Sequence, residues 1–184
     1  MSRLQTLPII VATLIITLLV SNLVHPLFAA SAAGPGYANV VAAAFQPESP
    51  SYDFDYDVHM QVGLKSGTGY FAAPLNVPQG AILNQMTIFG WDGDPATGFT
   101  VTLFRASGGE GTTEQIAIRD SAGANGPFEF STATDPALSV VDNEQYGYFV
   151  LLHIGAPTGN TKDVFLSRVR VGYSFSQNLP VVAS

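Results

Sequence analysis

From residue 52 onward, short apolar runs alternate with clusters of Gly, Pro, Asn and Asp, and no stretch carries a capped 3.6-residue apolar period. The runs fall at 58–64, 70–77, 82–91, 99–105, 114–119, 128–131, 146–154 and 164–175. Several alternate strictly. In Phe99-Thr-Val-Thr-Leu103 the apolar side chains point one way and both threonines the other. Residues 146–154 place Tyr146, Tyr148, Val150, Leu152 and Ile154 on one face and Phe149, Leu151 and His153 on the other, which predicts a central strand covered on both sides. In the last run Leu166 is followed by Val169, Val171 and Tyr173, opposite Arg168 and Arg170. A slip of one residue there would bury both arginines, so the register is firmly set. Eight or nine such strands, roughly ten residues apart, predict an all-β chain: a single antiparallel two-sheet β-sandwich following an N-terminal signal helix, with jelly-roll and immunoglobulin-like topologies both open.

The first thirty or so residues differ in kind. Arg3 precedes an apolar stretch from Leu7 to Val20, and small residues follow from Ala29 to Ala33, the order of a secretory signal peptide. Two outcomes are open: cleavage near Ala30-Ser31-Ala32, or retention as a membrane anchor, against which Ser21, Asn22, His25 and Pro26 interrupt the stretch. Either one places the rest outside the cytoplasm, secreted or at the cell surface, with membrane contact only if the leader stays. The expected organisation is a leader or anchor at 1–32, an Ala/Pro-rich tether or extended first strand at 33–51, the sandwich at 52–176 and a short tail at 177–184. Pro74 within a run predicts an edge or a bulge, and Val77-Pro78-Gln79-Gly80 predicts a type I turn.

Composition narrows the chemistry. The chain has no cysteine, which removes disulfides, thiol nucleophiles and zinc–cysteine sites. Its formal charge is −7, and −8 without Arg3; that sign disfavours nucleic acid as a partner. No nucleophile-elbow or zinc-protease motif occurs, and the two histidines beyond the leader, His59 and His153, both lie inside strand runs. We therefore expect no enzyme.

The blocks YFAAPLNVPQGAIL (70–83), WDGD (91–94), TVTLFR (100–105), VVDNEQYGY (140–148) and LSRVRVGY (166–173) resemble a broad group of uncharacterised exported bacterial proteins. That group combines a signal peptide, an "aPv-LP-GA-I" block, a D-x-D loop and a closing strand ending in Tyr. The resemblance implies export and an all-β fold, and it carries over no catalytic residue.

Three sets of residues are candidates for binding. Asp53, Asp55 and Asp57 share one face if extended, opposite Tyr52, Phe54 and Tyr56. They open like a calcium loop, but Val58 stands where an EF-hand needs Gly, leaving a solvated edge or another kind of calcium site. Asp92 and Asp94 form a second acidic loop, read as a turn or a cation site. Trp91, with Tyr146 and Tyr148, offers a flat apolar platform for a sugar ring; Trp91 continues the mixed face of Leu83, Gln85, Thr87 and Phe89, which predicts partial exposure. No cofactor is required beyond a possible calcium ion. The expected function is a non-catalytic structural or interaction module contacting an extracellular protein or glycan, the alternative being a carbohydrate-binding module built on Trp91 and neighbouring tyrosines.

Overall fold

The computed structural model describes residues 34–56, 61–93, 98–109, 111–122, 124–155 and 164–176. The leader, the tail, Asp57, His59 and Asp94 lie outside the described residues. Eleven strands occur among them: β1 Gly36–Val41, β2 Gln46–Pro47, β3 Phe54–Tyr56, β4 Val62–Leu64, β5 Gly69–Pro74, β6 Ile82–Asp92, β7 Phe99–Ser107, β8 Thr113–Asp120, β9 Gly126–Ala133, β10 Tyr146–Ile154 and β11 Val164–Ser174. Sheet A runs β3-β4-β11-β6-β9, with β1 also on β11; sheet B runs β2-β5-β10-β7-β8. All neighbours pair antiparallel. From β5 to β11 the chain alternates between sheets except at the β7–β8 hairpin. That crossing pattern is a jelly roll, which resolves the two topologies left open by the sequence.

Period 2 explains the core. Val62, Leu83, Met86, Ile88, Leu166, Val169 and Val171 point inward from sheet A, meeting Phe71, Phe99, Val101, Leu103, Val150, Leu152 and Ile154 from sheet B, all at most 2% exposed. Each such side chain contributes about 1.5–3 kcal/mol by leaving water. In β11 the alternation breaks at a register shift between Leu166 and Arg168, where Ser167 has no partner on β6. This bulge lets Leu166 and Val169 both face the core while Arg168 and Arg170 face out. A second shift leaves Asn84 unpaired on β6, so Leu83 turns inward although Gln85, Thr87, Phe89 and Trp91 take the outer face.

Within residues 33–51, open between a tether and an extended first strand, β1 pairs with Arg168–Tyr173 of β11, and Ala42 and Phe45 are fully buried. Gly36 admits this pairing because the Tyr173 ring occupies the space a Cβ would need. Strand β10 is central, between β5 and β7, but among the described residues no further layer covers its outer side, which corrects the expectation of cover on both sides. There Phe149 stacks on Phe104 at 5.4 Å and His153 on Tyr70 at 4.4 Å, and all but Tyr70, which is exposed, stay half-buried. The turn falls one residue later than expected: Ala81 N–H donates to the Pro78 carbonyl, and Gly80 takes φ 74° at the third position. Pro74 pairs with Phe149 and lies beyond the reach of β2, where among the described residues β5 has a free edge, as a residue without an N–H requires.

At Gly90 strand β6 has no room for a side chain against β11, since a Cβ would overlap the Phe165 carbonyl oxygen. Gly90→Ala is expected to cost about 1–3 kcal/mol through this overlap. Gly108→Ala, with open space around it, stays within about 0.5 kcal/mol of the parent. Thermal unfolding followed by circular dichroism checks both.

Candidate functional site

The outer face of sheet A gathers the largest exposed aromatic side chains beside its arginines. Cross-strand pairing arranges them in rows. Pro127, Trp91 and Phe165 stand opposite one another on β9, β6 and β11. The next row is Glu129, Phe89, Arg168 and Val41; after it come Ser131, Thr87, Arg170 and Asn39, then Ala133, Gln85, Gly172 and Tyr37. Successive rows are about 7 Å apart along the strands.

Glycines lay the aromatic rings flat on this face. The Phe165 ring fills the space above Gly63, with a ring carbon 2.7 Å from where a Cβ would be. The Tyr37 ring lies 3.6 Å from the corresponding point on Gly172, and Trp91 packs 3.8 Å from that on Gly126. Gly126 adopts φ 104°, a conformation that side-chain-bearing residues rarely take. Trp91 nonetheless keeps 42% of its surface exposed and Tyr37 67%, so each offers a ring to solvent.

Electrostatically the face is positive beside the aromatics. The Arg168 guanidinium lies 4.0 Å from the centre of the Phe89 ring, and that of Arg170 4.9 Å from it. Arg170 also donates to Glu129 Oε1 at 2.9 Å and lies 5.2 Å from the Tyr37 ring. Phe89 is thus held between two guanidinium groups. Thr87 and Ser131 share a hydrogen bond of 2.9 Å in the same layer.

Trp91, Tyr146 and Tyr148 are not brought together. Trp91 is on sheet A, whereas both tyrosines belong to β10 of sheet B. Tyr148 is 6% exposed, and its hydroxyl accepts from the Asp142 N–H at 2.9 Å. It borders a cleft of about 330 Å³ with Pro74, Asn76 and Asn143. Tyr146 is covered by Arg105, 4.2 Å above its ring. Arg105 in turn donates to Glu114 at 2.7 Å, which holds the guanidinium above its ordinary range.

The carboxylates are engaged in structural contacts. Asp92 points inward and is 2% exposed; its Oδ2 accepts from Ser121 Oγ at 2.5 Å, and Ser121 Oγ accepts from the Phe99 N–H at 3.0 Å. Asp53 and Asp55 both face Lys65 Nζ at 3.7 Å, while Phe54 and Tyr56 of the same strand turn inward. Among the described residues no group of three or more His, Asp or Glu is placed to hold a metal ion. Asp142, Asn143 and Glu144 form the turn into β10, with Asp142 accepting from the Glu144 N–H at 3.1 Å.

Sequence reading passed over Tyr37, Phe89, Pro127, Phe165, Arg168 and Arg170 as site residues. Their signal was present in the parity of β6 and β11: the face that exposes Trp91 is the one that exposes the arginines.

No family model and no curated protein matches this chain. Among solved structures, it is similar to the CBM36-1 domain of a multidomain xylanase from the hindgut metagenome of Trinervitermes trinervoides (14% identity, 74% of this chain and 97% of that one, TM-score 0.45). It is similar also to the C-terminal CBM6 of a marine laminarinase from Zobellia galactanivorans (12% identity, 74% and 98%, TM-score 0.45). A family 6 carbohydrate-binding module from Clostridium cellulolyticum in complex with xylose matches at 15% identity over 77% and 98%, with a TM-score of 0.43.

Removing the Ser121 hydroxyl strands a buried N–H and takes a donor from a buried carboxylate. Ser121→Ala is expected to lose about 1–3 kcal/mol of stability, read as a lower urea midpoint with an unchanged slope.

Proposed function

We propose that this chain is an exported, non-catalytic glycan-binding module whose outer face of sheet A receives sugar rings on Trp91. One observation carries the reading: an indole ring 42% exposed in the end row of a sheet face, backed by Gly126 and standing between Pro127 and Phe165. The Trp91 ring packs against Gly126 on one side and presents its remaining surface to solvent. An aromatic face carries negative charge density, and the C–H bonds of a pyranose present positive charge to it. Such stacking needs a fixed flat ring and an open approach, and this face has both. The leader pattern supports an extracellular setting in which polysaccharide is available.

A second reading, a protein-contact module, draws on the outer face of sheet B. Ala72, Pro74, Phe104, Ala106, Phe149 and Leu151 form an uncharged, half-exposed strip there. The glycan reading is preferred because Trp91 offers a single flat ring 42% exposed, whereas Phe104 and Phe149 of the strip are half-buried.

In affinity electrophoresis through gels containing single polysaccharides, Trp91→Ala is expected to bind its best polysaccharide at least tenfold more weakly, about 1.4 kcal/mol. Trp91→Phe retains most of the binding because a flat ring remains. Equal retardation of parent and Trp91→Ala would remove Trp91 from the function.

A further inference from the structure

Building on the glycan reading, we propose that the face selects sugars bearing an anionic group, with Arg168 as the residue that recognises it. This acidic chain pairs off most of its cations. Among the described residues Lys65 faces Asp53 and Asp55, Arg105 is paired with Glu114, and Arg170 with Glu129. Arg119 is turned toward the Phe130 ring, 4.9 Å away, with its Nε buried. Arg168 is different. It is exposed, stacks on Phe89 at 4.0 Å, and meets no carboxylate among the described residues. In a chain with fourteen acidic and seven basic residues, an outward cation without a carboxylate neighbour is unusual, and it stands one row from Trp91.

The geometry suits an anion. Contact with Phe89 holds the guanidinium over the ring, and the exposed side chain has N–H donors to offer a ligand. Those donors form a fork that matches two oxygens of a carboxylate or sulfate. Arg170 cannot serve equally, since Glu129 already occupies part of its fork. A ring seated on Trp91 carries its substituents toward the Phe89–Arg168 row, about 7 Å along the strand. The Ser167 bulge is what aims Arg168 there; with unbroken alternation its side chain would enter the core.

The test compares three probes on the purified chain by calorimetry and gel retardation: a neutral glucan, a polyuronate and a sulfated glucan. The expected result is binding of at least one anionic probe about tenfold more tightly than the neutral one. That preference falls toward unity in Arg168→Gln, is partly kept in Arg168→Lys, and weakens with salt. Preference for polyuronate identifies the carboxylate, and preference for the sulfated probe the sulfate ester. Equal affinity for neutral and anionic probes, or a preference unaltered in Arg168→Gln, overturns the inference and leaves glycan binding standing. Absence of binding to all three probes overturns this inference, and the glycan reading falls separately if Trp91→Ala then matches the parent across a wider set of neutral polysaccharides. Unchanged melting temperatures for both variants show that the fold is not what was altered.

Discussion

Among the described strands β11 is the last in sequence, yet it is the axis of sheet A. It pairs with β6 from Val164 to Ser174 on one side, and on the other with β4 and then β1, the first of the described strands. Its register therefore decides both the core and the outer face. The unpaired Ser167 turns Leu166 and Val169 inward together and sends Arg168 and Arg170 outward. Without it, one of those sets would be on the wrong side, and a buried unpaired guanidinium costs several kcal/mol. Core and candidate site are two consequences of one bulge.

The same pairing explains why the aromatic residues are fixed. Close contact of β6 with β11 requires Gly90, whose missing side chain leaves room for the Phe165 carbonyl. One residue on, Trp91 must face out, and Asp92 must face in, where Ser121 satisfies it. Opposite Trp91, Phe165 can lie flat only because β4 offers Gly63. Rigidity at the site therefore comes from backbone packing beneath it. A ligand meeting such a face pays little to order it, which is how a shallow surface reaches useful affinity.

Much of this was legible in the chain. The strands announced themselves by period 2, because each sheet has one face on a core and one toward water. The mixed company of Trp91 marked its exposure, whereas the bulge at Ser167 emerged only from the pairing of β11 with β6. Other features depended on topology. Nothing local separates Trp91 from Tyr146 and Tyr148, and only the assignment of β6 and β10 to opposite sheets does so. Residues 36–41 are weakly patterned, so the choice between tether and first strand was settled by the pairing of β1 with β11. Asp92 looked like a loop carboxylate beside Gly93, but β6 continues through it and parity turns it inward.

The central claim is that ligand seats on Trp91, and the chain's single tryptophan makes its emission a direct reporter. The decisive measurement is a fluorescence titration with the polysaccharide that binds best, run in parallel with calorimetry. A saturable change in Trp91 emission at the calorimetric midpoint, with reduced quenching by acrylamide, is the predicted result. Heat of binding without any change in emission or quenching would place the ligand elsewhere and contradict the account.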